Sequence, residues 1–502
     1  MSTPPSLLLL TLLPIVAAIL IMVGSPARLV ARVASICMLL VVVGLFLGYN
    51  EAVGGYQFRA SFPVIDALGI SLSFGADGLS LAMLLLAAIV TVSAVWVIPT
   101  VKSREHLFYA CVLFISAGVT GAFASTNVLF FYAFHELALI PTFLLIGIWG
   151  SGDRQTAAWK ATIYLGLASF VLLLGLIGLY LSIAPDVRTF DLVKIQDLAL
   201  AGRVQPPPWV YWTLLLGFGT LVSLFPFHSW APPAYASAPT PAAMLHAGVL
   251  KKFGLYGILR LVVPIFPGMA ETRVSFLGIE LRYMDIFLIL LIGNLFYIGL
   301  VTIAQKRLDW TLGYSSVMHM GYVFLGIAGL NALSLSGAAV LMVAHGLSIA
   351  ALFALSGAIR DRTGTLEYSE LGGLGKPMPR MGLLFGFATM AAVGLPGFAN
   401  FPGELMVFFG AFGGTSHIPQ AGLNFMQIVV VVAVWGVVIS AIYMLRAYRR
   451  VFFGTMPERW AMLPDIAPIP RYAVVLLVLA LLVIGFHPQF VLGYITPSLA
   501  LP

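Results

Sequence analysis

The chain has 502 residues, of which 61% are hydrophobic and only 9% are charged, with a formal net charge of +7. A soluble chain carries about a quarter of its residues as charges, so this one cannot clothe a water-facing surface and its main solvent is lipid. The positive balance is no nucleic-acid footprint, because most basic residues fall in short loops between apolar runs, where they set membrane orientation.

The first apolar run, near 6–23, lacks a basic leader and a clear cleavage site, and reads as a retained helix. Crossing the hydrocarbon takes about twenty apolar residues. Comparable runs follow near 33–49, 78–98, 107–123, 127–148, 159–183, 210–229, 242–263, 284–304, 312–329, 335–356, 381–412, 425–447 and 471–491. The pattern predicts an all-α integral membrane protein of about 14 transmembrane helices. Cys37 and Cys111 each lie in an apolar segment, with no CxxC and no His/Cys cluster. No disulfide framework, zinc site or iron–sulfur centre is therefore expected. The polar stretches 50–77, 184–209, 264–283 and 357–380 are loop-sized, and no GxGxxG or phosphate-binding loop occurs. A nucleotide, flavin or dinucleotide domain has no room.

Of the 26 Lys and Arg, two lie inside a span. Seven (Arg59, Arg188, Lys194, Arg203, Arg260, Arg273 and Arg282) fall in loops on one side, and seventeen on the other. The richer side is cytoplasmic by the positive-inside rule, which puts both termini outside. Spans 7 and 12 look broken: Pro226 precedes APPAYASAPTP (231–241), and GLPGFANFPGEL (394–405) interrupts an apolar run. The two breaks are five spans apart, as in two inverted five-helix repeats, spans 4–8 and 9–13. Broken helices at matching places in such repeats mark ion pathways, although a proline can also merely kink a packed helix. The chain then divides into 1–106 (spans 1–3), 107–263 (first repeat), 284–447 (second repeat) and 448–502 (span 14).

Only Lys251 and Lys252 among the basic residues, and Glu136 and Glu404 among the acids, lie well inside a span. Each such charge costs about 2.5–3.5 kcal/mol on insertion, so it needs a partner, a wet cavity or neutralisation. His135, His228, His246, His319 and His345 fall in or at the edges of apolar segments. Any single one is more often a hydrogen-bonded packing residue. As a set beside Glu and Lys they argue for a polar track near the midplane that relays protons. A carboxylate beside an ammonium stays ionised, and separating the two lets a proton move.

At these residues the chain resembles the antiporter-like subunits of respiratory complex I. The resemblance is carried by FYAFHELALIPTFLLIGIWG (131–150), PFHSWAPPAYASAPTPAAMLHAGVLKKFGLYGILR (226–260), GYSSVMHMGY (313–322), AHGLSIAALF (344–353) and LPGFANFPGE (395–404). The AHGL and NFxGE forms point to the M-type (NuoM) subunit. The resemblance implies that Glu136 is the fifth-helix glutamate that pairs with a lysine and gates proton uptake. It implies that Lys252 is the central lysine of helix 8, that His319 and His345 belong to the hydrophilic axis, and that Glu404 delivers the proton onward. The implied function is proton translocation in the membrane arm of an NADH:quinone oxidoreductase, in a prokaryotic cell membrane. The chain would hold no cofactor or redox centre. NADH, FMN, iron–sulfur clusters and quinone would sit in partners, and L-, N- and K-type subunits and lipid would surround it.

Three departures matter. The seventh-helix lysine position is Leu221, the residue before Glu136 is His135 rather than an aromatic, and RLDWTLGYSS puts Asp309 where a lysine is usual. The positive charge for Glu136 could come from Lys251, His135 or a neighbouring subunit. Helix geometry favours Lys251, or an ordered water chain, because His135 projects about 100° away from Glu136. A protonated Glu136 in a dry pocket is the rival reading. The alternative hosts are a multisubunit cation/proton antiporter, a membrane-bound hydrogenase and a bicarbonate-uptake complex. A stand-alone channel or scaffold fits less well, since it needs no buried ions on several helices.

Overall fold

The computed structural model describes residues 6–65, 68–276, 279–414 and 422–499. Both chain ends, expected on the non-cytoplasmic side, lie outside the described residues. Helices lie at every predicted apolar run, and among the described residues nine are long and apolar enough to cross a membrane.

The chain opens with α1 (Ser6–Met22) and α2 (Ala27–Gly48), then an antiparallel hairpin of β1 (Gln57–Ile65) and β2 (Ile70–Ala76). Next come α3 (Gly78–Trp96), α4 (Glu105–Ala124), α5 (Val128–Trp149) and α6 (Arg154–Leu181). Polar residues start three of these helices by accepting from free backbone N–H groups: Asp77 from Ser80, Asn127 from Leu129 and Phe130, and Asp153 from Thr156. The loop expected at 184–209 contains a short helix, α7 (Leu192–Leu200), capped by Asp191. After α8 (Pro208–Val222) and α9 (Ala231–Ser237), one continuous helical rod runs through α10 (Thr240–Leu245), a π turn His246–Leu250, α11 (Lys252–Gly257), a second π turn Ile258–Val262 and α12 (Val263–Ile265). A second hairpin, β3 (Arg273–Phe276) and β4 (Ile279–Arg282), precedes α13 (Tyr283–Ile292), a π turn Gly293–Tyr297 and α14 (Ile298–Ile303). The rest comprises α15 (Leu308–Ala328), α16 (Ala332–Thr363), α17 (Pro379–Val393), α18 (Asn400–Gly413), α19 (Phe425–Phe452), α20 (Pro468–Phe486) and α21 (Gln489–Ile495).

The all-α reading holds for the membrane part, and the two hairpins are additions in loops read as irregular. Helix ends also shift: α2 begins at Ala27, α6 at Arg154, and α16 runs on to Thr363. Helical hydrogen bonding does not stop where the hydrocarbon does, and Arg or Lys at the ends reaches the headgroups.

α3 and α16 form the centre. α16 is buried along nearly its whole length and packs against α3, α15, α17, α18 and α20. Small residues allow this closeness. At the crossing of α16 with the π turn before α11, a Cβ on Gly346 would meet the Gly248 carbonyl at 2.6 Å. The outer helices α1, α2, α6 and α19 leave Leu20, Leu40, Leu47, Leu167, Phe170 and Trp435 exposed, as a lipid- or partner-facing surface does.

Both expected breaks are present and built alike. α8 ends on Ser223 at φ 77°, with Ser223 N–H donating to Thr220 O and Leu224 N–H to Gly219 O. α17 ends on Gly394 at φ 80°, with Gly394 N–H donating to Ala391 O and Leu395 N–H to Met390 O. This is the left-handed cap that closes a helix C-terminus, and Pro226 and Pro396 follow where the helix cannot continue.

Candidate functional site

Lys252 is fully buried at the start of α11. Its Nζ donates to Ala247 O, a carbonyl of the π turn, at 2.6 Å and stands 3.0 Å from His345 Nδ1. The Gly248–Gly346 crossing makes this contact possible, because His345 immediately precedes the glycine that lets the helices touch. The His345 ring lies 5.6 Å from the ring of His319 on α15.

His319 faces a carbonyl at each nitrogen: Nδ1 is 2.8 Å from Ser315 O, and Nε2 is 2.9 Å from Ala392 O. A neutral imidazole donates to one of these, and only the imidazolium donates to both. Ala392 O belongs to the last turn of α17. The second break is therefore tied to a titratable side chain.

Glu404, buried on α18, lays its carboxylate against Gly394, where any Cβ would overlap it. No ion pair to Glu404 occurs among the described residues. The Tyr322 ring lies 5.8 Å from the His319 ring and 5.7 Å from that of Phe408 on the same helix as Glu404. Tyr443 OH is 3.4 Å from His319 Nδ1 and 3.0 Å from Ser315 Oγ. His345 Nε2, Tyr322 OH, Thr389 Oγ1 and both side-chain polar atoms of Asn400 are buried without a protein partner among the described residues. They sit on α15, α16, α17 and α18, and water is the partner such groups take.

The other half differs from expectation. Lys251 Nζ donates to Ser316 Oγ at 2.9 Å and to Ser316 O at 3.1 Å, with the Tyr235 ring at 5.4 Å. It does not replace the missing lysine beside Glu136, because both ammonium groups of the LKK segment end on α15 and α16. Glu136 is not deeply buried within this chain: 37% of its side chain is exposed. It lines a cavity of about 210 Å³ between α5 and α6, with Thr142, Thr162, Leu165 and Gly166. Its carboxylate meets the Ser169 hydroxyl and lies 3.5 Å from His135 Nδ1. That imidazole is the group expected to point away, and Lys251 lies elsewhere, on Ser316. His228 stacks on Phe225 at the first break, and His246 lies among Trp230 and Tyr235 with neither ring nitrogen partnered.

The structure thus gathers Lys252, His345, His319 and Glu404 on one side. It sets Lys251 on Ser316 and leaves Glu136 on the far flank.

Two buried groups escaped the sequence reading. Arg260 was assigned to a loop; it lies in the second π turn, buried, and forms an ion pair with Asp77. It falls inside the predicted run 242–263, in the segment YGILRLVV (256–263), where its place near the end of the span let it be counted with the loop. Asn294 fills the first break: Oδ1 accepts from Phe225 N–H at 2.7 Å, and Nδ2 donates to Ser223 O at 3.0 Å and Val317 O at 3.1 Å. A lone Asn within FLILLIGNLFYIGL was its signal.

Residues 125–418 match the family described as NADH:quinone oxidoreductase/Mrp antiporter, transmembrane. The chain is 34% identical over 459 residues to NAD(P)H-quinone oxidoreductase chain 4 2 of Synechococcus sp. (strain JA-3-3Ab), covering 90% of this chain and 82% of the relative. It is 31% identical over 503 residues to NAD(P)H-quinone oxidoreductase chain 4 of Gloeobacter violaceus, covering 98% and 92%. It superposes on a chain of respiratory complex I from Thermus thermophilus, solved with bound NADH, at a TM-score of 0.85 and 27% identity over 98% of each chain. A chain of the Mrp complex from Dietzia sp. DQ12-45-1b shares the fold at a TM-score of 0.82 and 20% identity, over 99% and 96%. This multi-pass membrane protein therefore belongs to the NADH:quinone oxidoreductase/Mrp antiporter transmembrane family, as an M-type, chain 4-like member.

Proposed function

We propose that the chain is a proton-translocating membrane-arm subunit of a complex I-like NAD(P)H:quinone oxidoreductase. The observation that carries this reading is the contact between Lys252 Nζ and His345 Nδ1, two titratable groups buried together at the centre of the molecule. A lysine able to hand its proton to a neighbouring imidazole is a carrier rather than a packing residue. From His345 the route continues through His319 and internal water to Glu404. A proton on His319 completes its second carbonyl bond and tightens the α17 break, and its loss frees Ala392 O. Proton position and helix geometry are linked at that point.

The similar caps at Ser223 and Gly394 support two related five-helix units, 107–263 and 284–447, inverted in the membrane. The Lys and Arg distribution supports both termini outside. Redox chemistry belongs to partner subunits that carry NADH, FMN, iron–sulfur clusters and quinone, and L-, N- and K-type subunits flank the chain. His345→Phe keeps the ring volume and removes the acceptor for Lys252. In membrane vesicles holding the assembled complex, this variant loses coupled proton transport. Full transport in an assembled complex would rule the route out.

A further inference from the structure

Among the described residues of this chain, no lysine pairs with Glu136. Leu221 is buried and apolar where the resemblance implies one, and Lys251 is held by Ser316. His135 stands there instead. Its side chain is 3% exposed, and its Nδ1 lies 3.5 Å from Glu136 Oε1 with no hydrogen-bond partner among the described residues. The ring is laid flat on Phe253, at 4.1 Å between centroids and 21° between planes. Phe253 follows Lys252 in the chain. His246 begins the π turn that leads into Lys251, and neither of its ring nitrogens has a hydrogen-bond partner among the described residues. Glu136 from its own helix is thus in contact with His135, and α5 packs against the π turn that carries His246.

We propose that His135 is the charge partner of Glu136 and the first proton carrier between it and the lysines of the rod, an assignment that rests on the proton-translocation reading above. A proton on the Glu136 carboxyl passes to His135 Nδ1, leaving a carboxylate beside an imidazolium. The imidazolium then releases the proton on its other nitrogen toward His246. The stack on Phe253 fixes the ring so that Nδ1 stays turned to the carboxylate. At 3.5 Å the pair is a charge contact, and a small approach makes it a hydrogen bond.

Charge and packing can be separated at this site. His135→Phe keeps the stack on Phe253 and removes the charge, whereas His135→Lys keeps a cation and gives up the stack. Both are compared with Glu136→Gln and with the double variant His135→Phe/Leu221→Lys in vesicles holding the whole complex. Assembly is followed by native electrophoresis and proton uptake by a pH-sensitive dye. We expect His135→Phe to lose coupled transport to the level of Glu136→Gln, His135→Lys to retain it, and Leu221→Lys to restore it to His135→Phe. Full transport by His135→Phe, with Glu136→Gln impaired, would overturn the assignment alone. So would a loss that neither lysine repairs, since that is a packing role. If His135→Phe does not assemble, His135→Lys decides: transport supports the assignment, and its loss in an assembled complex overturns it. Full transport by Glu136→Gln would instead overturn the conduction role of Glu136 itself.

Discussion

Lys251 and Lys252 are adjacent and equally buried, yet their partners differ, and so should the effects of removing them. Lys252→Ala deletes the donor to His345 and should lower turnover about a hundredfold, the range of a positioned acid–base group. Lys251→Ala deletes a bond to Ser316, whose hydroxyl does not titrate near neutral pH, and should be clearly milder. Quinone-reduction rates of the two assembled variants check this, and the reverse order would put the route on Ser316. The sequence made the titratable residues legible because a charge in an apolar run stands out, and Lys252, His319, His345 and Glu404 were all read that way. The partner of Glu136 was not legible. The 100° between neighbouring Cβ directions is a backbone property, and a glutamate with three side-chain torsions swings its carboxylate across that angle to His135.

At the scale of elements, the breaks in spans 7 and 12 were readable from Pro226 and Pro396, but what satisfies them was not. Asn294 makes two bonds to the backbone of the first break, at Ser223 and Phe225, and a third to Val317 on α15, so Asn294→Leu strands buried polar groups. The expected loss is about 3 kcal/mol, seen as a lower Tm of the purified complex. An unchanged Tm would mean that the break is closed by other groups. Gly346→Val tests the crossing that brings His345 to Lys252. A side chain there meets the Gly248 carbonyl and pushes the rod off α16, so coupled transport should fall even where assembly survives. The three π turns at His246–Leu250, Ile258–Val262 and Gly293–Tyr297 left no trace in the pattern. A helix that is apolar on every face has no amphipathic stripe, and therefore no phase in which an inserted residue would show. The hairpin β1–β2 was missed for a related reason, since β2 is buried at successive positions and β1 is largely exposed, so neither strand shows an alternation.

For the whole molecule, the Arg260–Asp77 pair ties together segments far apart in the chain. Asp77 caps α3, and Arg260 also donates to Ser498 O at 3.4 Å and lies over the rings of Tyr56 and Tyr256. Gln196 of α7 donates to the Arg260 carbonyl at 2.7 Å. Asp77→Ala leaves the guanidinium buried without its counter-charge, which costs about 3–5 kcal/mol. A sharply lower Tm with the electron-transfer chemistry of the partner subunits intact is the expected result, and an unchanged Tm would contradict it. Composition made the architecture legible, because lipid as solvent leaves few alternatives to packed helices. Which helices meet was not legible, since lipid-facing and core-facing surfaces are equally apolar and only small residues such as Gly248 and Gly346 mark a contact. On the proposed route, protons cross by way of Lys252, His345, His319 and Glu404. Its most direct test is the number of protons moved per electron pair by the Glu404→Gln complex in sealed proteoliposomes. We expect a ratio below that of the unaltered complex in a fully assembled variant, and an unchanged ratio would rule this route out.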